Sequence, residues 1–233
     1  MNGQFELLNG DCTDLLSQCI ERIEYKGLVP VVVTDPPFNV GYHYRSYSDK
    51  MNESEYYAWL CELTSLTASV VVHYPEALHR LSIEKHETPE RVVSWVYPSN
   101  TKRQHRDIAY YGIKPDFRRV TQPFRDQNDK RNRAKVAAGI DARSYDWCEV
   151  NQVKNISKEK TEHPCQMPEE VMRRVVGVLP DGIGVIDPFC GSGTTGVACA
   201  RLGIPFFGIE LDERYYEIAC ERLDRETCQG TLF

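Results

Sequence analysis

Short apolar runs alternate with amphipathic stretches along most of the chain, and this alternation predicts strands and helices in turn. Continuous apolar or β-branched runs predict buried strands at 5–8, 31–34, 69–73, 91–97, 184–186 and 205–209. Apolar residues at helical spacing predict helices at 12–23, 53–68, 168–179, 194–202 and 213–223. Strands that alternate with helices indicate an α/β fold, a three-layer sandwich around a mostly parallel sheet.

The regular pattern breaks between Ser99 and Lys160. Two prolines, Pro115 and Pro123, and the polar run 125–133 predict irregular structure there. The charge changes in the same segment, which holds fifteen Lys/Arg and eight Asp/Glu, whereas the rest of the chain holds thirteen and twenty-six. A basic segment in an otherwise acidic chain favours contact with phosphates; a solvated segment without a partner is the alternative.

Composition narrows the class of protein. The 233 residues suffice for one or two domains with a buried core, and 41% hydrophobic with 27% charged residues is typical of a globular chain. No transmembrane run or signal peptide is recognisable, so we expect a cytoplasmic protein without a membrane partner. The nine cysteines form no Cys-x-x-Cys pair and have no zinc-ligand spacing, which favours a reducing compartment and a protein without a metal.

A glycine-rich loop, Asp187-Pro188-Phe189-Cys190-Gly191-Ser192-Gly193, lies between a predicted strand and a predicted helix. Gly191 and Gly193 are expected to let the backbone approach a ligand, toward which the helix that follows points its amides. Glu210 ends the next strand, where a carboxylate can accept hydrogen bonds from both ribose hydroxyls. Together with Gly196 the glycines also fit G-x-G-x-x-G, so an NAD-binding oxidoreductase is an open alternative.

A second motif, Asp35-Pro36-Pro37-Phe38, follows the strand predicted at 31–34 and suits the binding of an exocyclic amine. The amine lone pair of adenine or cytosine is conjugated into the ring and is a poor nucleophile. The Asp35 carboxylate and the Pro36 carbonyl can accept its two N–H bonds and draw the nitrogen toward tetrahedral geometry. The prolines hold that carbonyl rigidly, and Phe38 can stack on the flipped base. An ordinary turn at a strand end is the alternative.

Four motifs together resemble the signature set of the amino-DNA methyltransferases. They are the Asp35–Phe38 motif, His163-Pro164-Cys165-Gln166-Met167-Pro168, Asp187 to Gly196, and Phe207-Gly208-Ile209-Glu210-Leu211-Asp212. The order, with the catalytic motif before the glycine loop, resembles the circularly permuted β group. The resemblance covers nearly the whole chain outside Ser99–Lys160, and it implies a Rossmann-like S-adenosylmethionine-dependent methyltransferase fold.

The resemblance also implies a pocket for S-adenosylmethionine, with S-adenosylhomocysteine as the product and no metal. Phe189 to Gly193 would wrap the methionine part, Glu210 would hold the ribose, and Asp11 is a candidate for the adenine amino group. The stretch before Pro168 would close the pocket. The residues expected to bind the cofactor are Asp11, Asp35, Pro164, Asp187, Phe189, Cys190, Gly191, Ser192, Gly193, Thr194, Thr195, Glu210 and Leu211.

By the same resemblance, residues 1–98 are the catalytic part of a methyltransferase domain, 99–160 a target-recognition insert, and 161–233 the cofactor-binding part. Double-stranded DNA is the expected partner. The basic side chains expected to contact it are Arg103, Arg106, Arg118, Arg119, Lys130, Arg131 and Arg133. Three tyrosines, Tyr42, Tyr44 and Tyr47, either close over the flipped base or pack against the body. A restriction endonuclease partner and a homodimer are left open.

The expected reaction is methyl transfer to N6 of adenine. In the family that the chain resembles, Asp-Pro-Pro-aromatic is more typical of adenine enzymes and Ser-Pro-Pro-aromatic of cytosine-N4 enzymes, so cytosine-N4 methylation is the alternative. Pro164-Cys165-Gln166 matches the nucleophile tripeptide of cytosine-C5 methyltransferases. Here it precedes the glycine loop and has no Glu-Asn-Val partner, so we expect Cys165 to be a wall of the cofactor pocket.

Overall fold

The computed structural model of the protein describes residues 4–42, 48–99 and 102–229. Across these residues an eight-stranded sheet with the order β1-β10-β9-β2-β3-β5-β4-β8 forms the centre of the molecule. Its strands are β1 (Phe5–Asn9), β2 (Val29–Thr34), β3 (Ala68–His73), β4 (Arg91–Val96), β5 (His105–Tyr111), β8 (Trp147–Glu149), β9 (Ile183–Asp187) and β10 (Phe206–Glu210). Two further strands, β6 (Thr121–Gln122) and β7 (Ala142–Arg143), pair with each other outside it.

Helices cover both faces of the sheet, which confirms the three-layer α/β sandwich. They are α1 (Cys12–Tyr25), α2 (Glu53–Ser65), α3 (Pro75–Glu84), α4 (Lys130–Ala137), α5 (Glu169–Gly177), α6 (Thr194–Leu202) and α7 (Glu213–Gln229). Alternate residues of a strand point to opposite faces. Val31 and Val33 accordingly pack into the cluster that holds α5, α6 and α7, whereas Val32 packs into the cluster that holds α1.

The first five strands in the sheet order, β1, β10, β9, β2 and β3, are parallel. The next strand, β5, is the exception. β5 runs antiparallel to both neighbours, and Asp107 lies opposite His73 at the carboxyl end of β3. The prediction of irregular structure across 99–160 is wrong for β5 and for α4. Ile108 to Tyr111 are buried without a polar alternation because helices cover both faces of the sheet, and a period of two is lost in such a strand.

Part of the basic segment 99–160 belongs to the central sheet. β5 and β8 both pair into that sheet, and residues 112–146, which connect them, lie outside it. The division into 1–98, 99–160 and 161–233 stays a prediction about function.

Helix boundaries follow local signals where these are strong. α6 begins after Gly193 and ends before Gly203, both in the left-handed region, and this matches the predicted helix. Pro168, predicted as the first helical residue, instead occupies the N-cap of α5, which begins one residue later at Glu169. Asp11 caps α1 by accepting a hydrogen bond from the Thr13 amide. Within the described ranges, no helix combines the length and the apolar character needed to cross a bilayer.

Candidate active site

The carboxyl ends of the five parallel strands meet at one edge of the sheet, and a cavity of about 370 Å³ lies there. Asp11 follows β1, Asp35 follows β2, His73 ends β3, Asp187 ends β9 and Glu210 ends β10. β2 pairs directly with β9, so the two motifs that lie far apart in the chain become neighbours in the sheet. Ligand sites of α/β sheets lie at such an edge.

Most of the residues predicted to bind the cofactor line this cavity. They are Asp11, Asp35, Asp187, Phe189, Cys190, Gly191, Ser192, Thr194, Thr195, Glu210 and Leu211. Pro164 and Gly193 do not line the cavity. The residues on either side of Pro164, which are His163 and Cys165, do line it. Within the described part of the chain, no group of three or more His, Cys, Asp or Glu side chains is arranged to hold a metal ion.

Glu210 is held in place by two backbone amides. Its Oε2 accepts a hydrogen bond from the Gly191 amide at 2.8 Å, and its Oε1 accepts one from the Asp212 amide at 2.9 Å. Burial raises the pKa of this carboxyl group, and the two amide bonds act in the opposite direction. Each carboxylate oxygen keeps a second lone pair as an acceptor for a ligand.

Asp187 holds its own loop together. Its Oδ2 accepts from the Thr195 hydroxyl at 2.5 Å and its Oδ1 accepts from the Phe189 amide at 3.1 Å. Burial raises the pKa of Asp187 to about 7. Through these two bonds Asp187 ties the loop to the first turn of α6 and so shapes the cofactor half of the cavity.

The glycines of the loop allow close packing within the protein, and their approach to a ligand stays a prediction. Gly191 and Gly193 have φ angles of 53° and 77°, a region that favours glycine. A Cβ atom on Gly193 would lie 3.0 Å from the Cβ of Ala219 in α7, and one on Gly191 would lie 3.0 Å from the His163 Nε2. The space that a side chain would need is therefore filled by α7 and by the loop before α5.

Asp35 is mostly buried beside the cation Arg106. Its Oδ2 lies 3.4 Å from Arg106 Nη1, and its Oδ1 has no hydrogen-bond partner among the described residues. Burial raises the pKa of Asp35 to about 6, and the charge of Arg106 counteracts this shift. The carboxylate therefore keeps acceptor capacity at the cavity, as the binding of an amine requires.

A chain of hydrogen bonds fixes the Pro-Pro backbone from behind. The Tyr74 amide donates to His73 Nδ1 at 2.7 Å, so the His73 proton is on Nε2 and is donated to the Tyr56 hydroxyl at 2.9 Å. The Tyr56 hydroxyl in turn donates to the Pro37 carbonyl at 2.7 Å. Burial lowers the pKa of His73 to about 3 and keeps the ring neutral. These hydrogen bonds occupy the Pro37 carbonyl and do not involve the Pro36 carbonyl.

Phe38 lies within a cluster of aromatic and cationic groups. Its ring stacks on His73 with centroids 4.4 Å apart and meets Tyr74 edge-on at 5.0 Å. The Arg106 guanidinium carbon lies 4.5 Å from the Phe38 centroid. Stacking of Phe38 on a flipped base stays a prediction.

Sequence reasoning missed His73, Tyr56 and Tyr74 as parts of the site. The position of His73 at the carboxyl end of a buried parallel strand was the one signal that pointed to it. Tyr56 had none, because it lies inside a helix, α2, and is 1% exposed, as a core tyrosine would be.

The loop after Phe38 is tied down by a buried carboxylate that the sequence did not single out. Asp49 is 2% exposed and accepts hydrogen bonds from the backbone amides of Asn39, Val40 and Tyr42. Tyr42 lines the cavity and hydrogen-bonds to the thiol of Cys165, which is another lining residue. Tyr44 and Tyr47 lie outside the described residues.

The basic residues predicted to contact DNA fall into two groups. Arg106 differs from the rest, because its side chain is 14% exposed and lies in the cavity beside Asp35; its contact with DNA stays a prediction. The others lie on the surface. Four of them are in ion pairs: Arg103 with Glu76, Arg118 with Asp116, Arg119 with Asp181, and Arg131 with Asp129. Lys130 and Arg133 are exposed on α4.

A family model described as DNA methylase (N6_N4_Mtase) matches residues 29–221. Type II methyltransferase M.HpaI of Haemophilus parainfluenzae is 27% identical over 225 residues, which cover 85% of this chain and 69% of that protein. DNA adenine methyltransferase YhdJ of Escherichia coli (strain K12) is 23% identical over 231 residues, covering 84% and 76%.

The crystal structure of the M1.HpyAVI–SAM complex has the same fold as this chain, with a TM-score of 0.63 at 19% identity over 94% of this chain and 99% of that one. The family model extends from β2 into α7 and so includes both motifs of the cavity. The chain therefore belongs to the DNA methylase family.

Proposed function

We propose that this protein transfers the methyl group of S-adenosylmethionine to the exocyclic N6 of adenine in double-stranded DNA. The observation that carries the proposal is that Asp35, Pro36 and Glu210 all line one cavity. An amine-binding group and a ribose-binding group in one cavity suit a reaction between a base and a nucleoside methyl donor. The family match removes the support for an NAD-binding oxidoreductase.

The residues of the cofactor half fit S-adenosylmethionine. Glu210 is oriented by two amides and has acceptor capacity for the ribose hydroxyls. The amino end of α6 follows Ser192 and Gly193 and supplies a positive end of a helix dipole for a carboxylate. When bound, the donor supplies an electrophilic methyl group on a sulfonium. Phe189, Cys190 and Pro188 form an apolar wall that limits water at that place.

The base half fits an amine that has left the duplex. A flipped base costs a few kcal/mol of stacking and pairing. Asp35 Oδ1, which has no partner among the described residues, can accept one N–H of the amine, and the Pro36 carbonyl can accept the other. Because Tyr56 and the prolines hold this backbone, the two acceptors are oriented before the base arrives.

Two observations support adenine over cytosine. The motif begins with Asp35, and the relative YhdJ is named a DNA adenine methyltransferase. Cytosine-N4 transfer is the competing outcome of the test.

The experiment is expression of the chain in a bacterial strain without DNA methylation of its own, followed by sequencing with detection of modified bases. We expect N6-methyladenine at one short motif. N4-methylcytosine would contradict the proposed base, and unmodified DNA from cells with folded protein would contradict DNA methylation. S-Adenosylhomocysteine should raise the melting temperature of the purified protein and NAD should not, since only a ligand of the native state stabilises it.

A variant pair separates chemistry from folding. Asp35→Ala should abolish methylation and still be stabilised by S-adenosylhomocysteine, because the loss falls on the base half of the cavity. Asp14→Ala, which removes an exposed carboxylate from α1, should methylate as the wild type does. Loss of cofactor binding with preserved transfer in Asp35→Ala would contradict the role given to Asp35.

We also propose, from the relatives named Type II methyltransferases, that a restriction endonuclease of the same specificity accompanies this protein. Resistance of methylated DNA to an endonuclease of that specificity is the test. A homodimer stays a prediction, which the mass of the native protein in solution decides.

A further inference from the structure

One cation lies at the base half of the cavity without a role in the chemistry described above. Arg106 projects from β5, opposite Trp95 in the register of β4 and β5. β5 is antiparallel to β3, so the first residues of β5 lie at the carboxyl edge of the sheet, beside Asp35. The guanidinium carbon lies 4.5 Å from the ring centroid of Phe38 and 5.4 Å from that of Trp95.

The pair of Arg106 and Asp35 is incomplete as an ion pair. Charge-assisted bonds between nitrogen and oxygen are usually about 2.7–2.9 Å long, whereas Arg106 Nη1 lies 3.4 Å from Asp35 Oδ2. Asp35 Oδ1 and Arg106 Nε are both buried, and neither has a hydrogen-bond partner among the described residues. A buried ion pair is favourable only when its remaining bonding capacity is satisfied. Two residues that line the cavity thus hold an acceptor and a donor that no described residue satisfies.

This pair of groups is complementary to one class of base edge. Adenine presents the N6 amine as a donor beside N1 as an acceptor, and cytosine presents the N4 amine beside N3. Guanine and thymine present the reverse, a carbonyl acceptor beside a ring N–H donor. Flipped bases are read by hydrogen bonds to this edge. Asp35 and Arg106 together therefore match the amino bases and oppose the keto bases.

We propose that Arg106 is a base-reading residue, which donates a hydrogen bond to the ring nitrogen next to the exocyclic amine, N1 in adenine. This inference rests on the proposed function of the cavity. Asp35 accepts from the amine and Arg106 donates to its neighbour, so the base is held by two bonds of opposite direction. The guanidinium then places the amine at Asp35, and its positive charge is balanced by that carboxylate.

The test compares adenine with 1-deazaadenine at the target position of a duplex that carries the motif found by sequencing. 1-Deazaadenine keeps the amino group and replaces N1 by C–H. Both bases are placed opposite an abasic site, so that neither has a pairing partner to lose on flipping. We expect the wild-type kcat/KM to fall by about 10- to 100-fold with 1-deazaadenine, the range for a bond to a charged donor.

The variant Arg106→Met removes the donor. In this variant the fall in kcat/KM from adenine to 1-deazaadenine should be less than about threefold. Arg125→Met is the matched control: it removes an exposed cation of the same segment that does not line the cavity, and it should keep the full fall in kcat/KM with 1-deazaadenine. Thermal stabilisation by S-adenosylhomocysteine shows that each variant is folded.

Two results would overturn the assignment of Arg106. Equal rates of the wild type on adenine and 1-deazaadenine would do so without any variant, so misfolding of Arg106→Met leaves the proposal testable. The assignment would also be overturned if folded Arg106→Met showed the same fall in kcat/KM with 1-deazaadenine as the wild type. A wild-type protein that fails to methylate even the adenine duplex would instead contradict the proposed function.

Discussion

Asp35 is the side chain at which two opposed electrostatic effects decide activity. Burial raises its pKa to about 6, while Arg106 stabilises the carboxylate. The amine needs an ionised acceptor, so the active form lies above this pKa. We predict that kcat/KM falls about tenfold per pH unit below pH 6. Arg106→Met should move the midpoint to higher pH, because it removes the charge that lowers the pKa.

The measurement is the pH dependence of kcat/KM at fixed ionic strength, with circular dichroism at each pH as the check on folding. A rate that stays constant from pH 8 to pH 5 would show that the charge of Asp35 is not required, and a midpoint that moves down in Arg106→Met would reverse the sign of the proposed interaction.

At the scale of elements, the site depends on a side chain of α2 that does not itself line the cavity. α2 contributes Tyr56, whose hydroxyl joins His73 on β3 to the Pro37 carbonyl. Removal of the hydroxyl leaves the ring packed and unties the Pro-Pro backbone from β3. We predict that Tyr56→Phe lowers kcat about tenfold and leaves the KM for S-adenosylmethionine within about twofold, since the loss is confined to the base half.

Steady-state kinetics with each substrate varied in turn measure this split between kcat and KM. Tyr57→Phe is the matched control, because it removes a neighbouring hydroxyl of the same helix that is outside the hydrogen-bond chain. Wild-type kcat in Tyr56→Phe, or an effect confined to the KM for the cofactor, would contradict a positioning role for Tyr56.

The elements also show how far sequence reasoning reaches. α6 is predicted to its last residue because glycines mark both ends, and Asp35 and Glu210 are found because each belongs to a motif at a strand end. β5 is missed because it begins with the polar residues His105, Arg106 and Asp107, so its apolar run covers only Ile108 to Tyr111. The position of Arg106 beside Asp35 could not be predicted, because it depends on the pairing of β5 with β3, a contact between distant parts of the chain.

At the scale of the whole molecule, residues 112–146 have a net positive charge and the rest of the chain has a net negative charge. The chain has a net charge of −6, yet these residues hold nine Lys/Arg and five Asp/Glu. α4 lies in this segment, carries four basic residues and buries none of its side chains. A helix of this length gains its stability in proteins mainly from packing, so a surface without packing and rich in cations is best explained by a polyanionic partner.

Arg133 tests this explanation, because it is exposed on α4 and its Nε donates only to the Asn128 carbonyl of its own segment. A contact with one phosphate contributes about 0.9 to the slope of log K against log salt concentration. We predict that Arg133→Gln weakens DNA binding and reduces that slope by about 0.9, while the affinity for S-adenosylhomocysteine is unchanged.

Fluorescence anisotropy of a labelled duplex across a salt series gives the slope. Arg225→Gln is the matched control, since it removes the same charge from an exposed position on α7, distant in the chain from the basic segment. If long-range attraction by net charge accounts for DNA binding, the two variants weaken it equally and the slopes agree. If α4 touches the phosphates, only Arg133→Gln changes the slope, because counterions are released only where a cation meets the duplex.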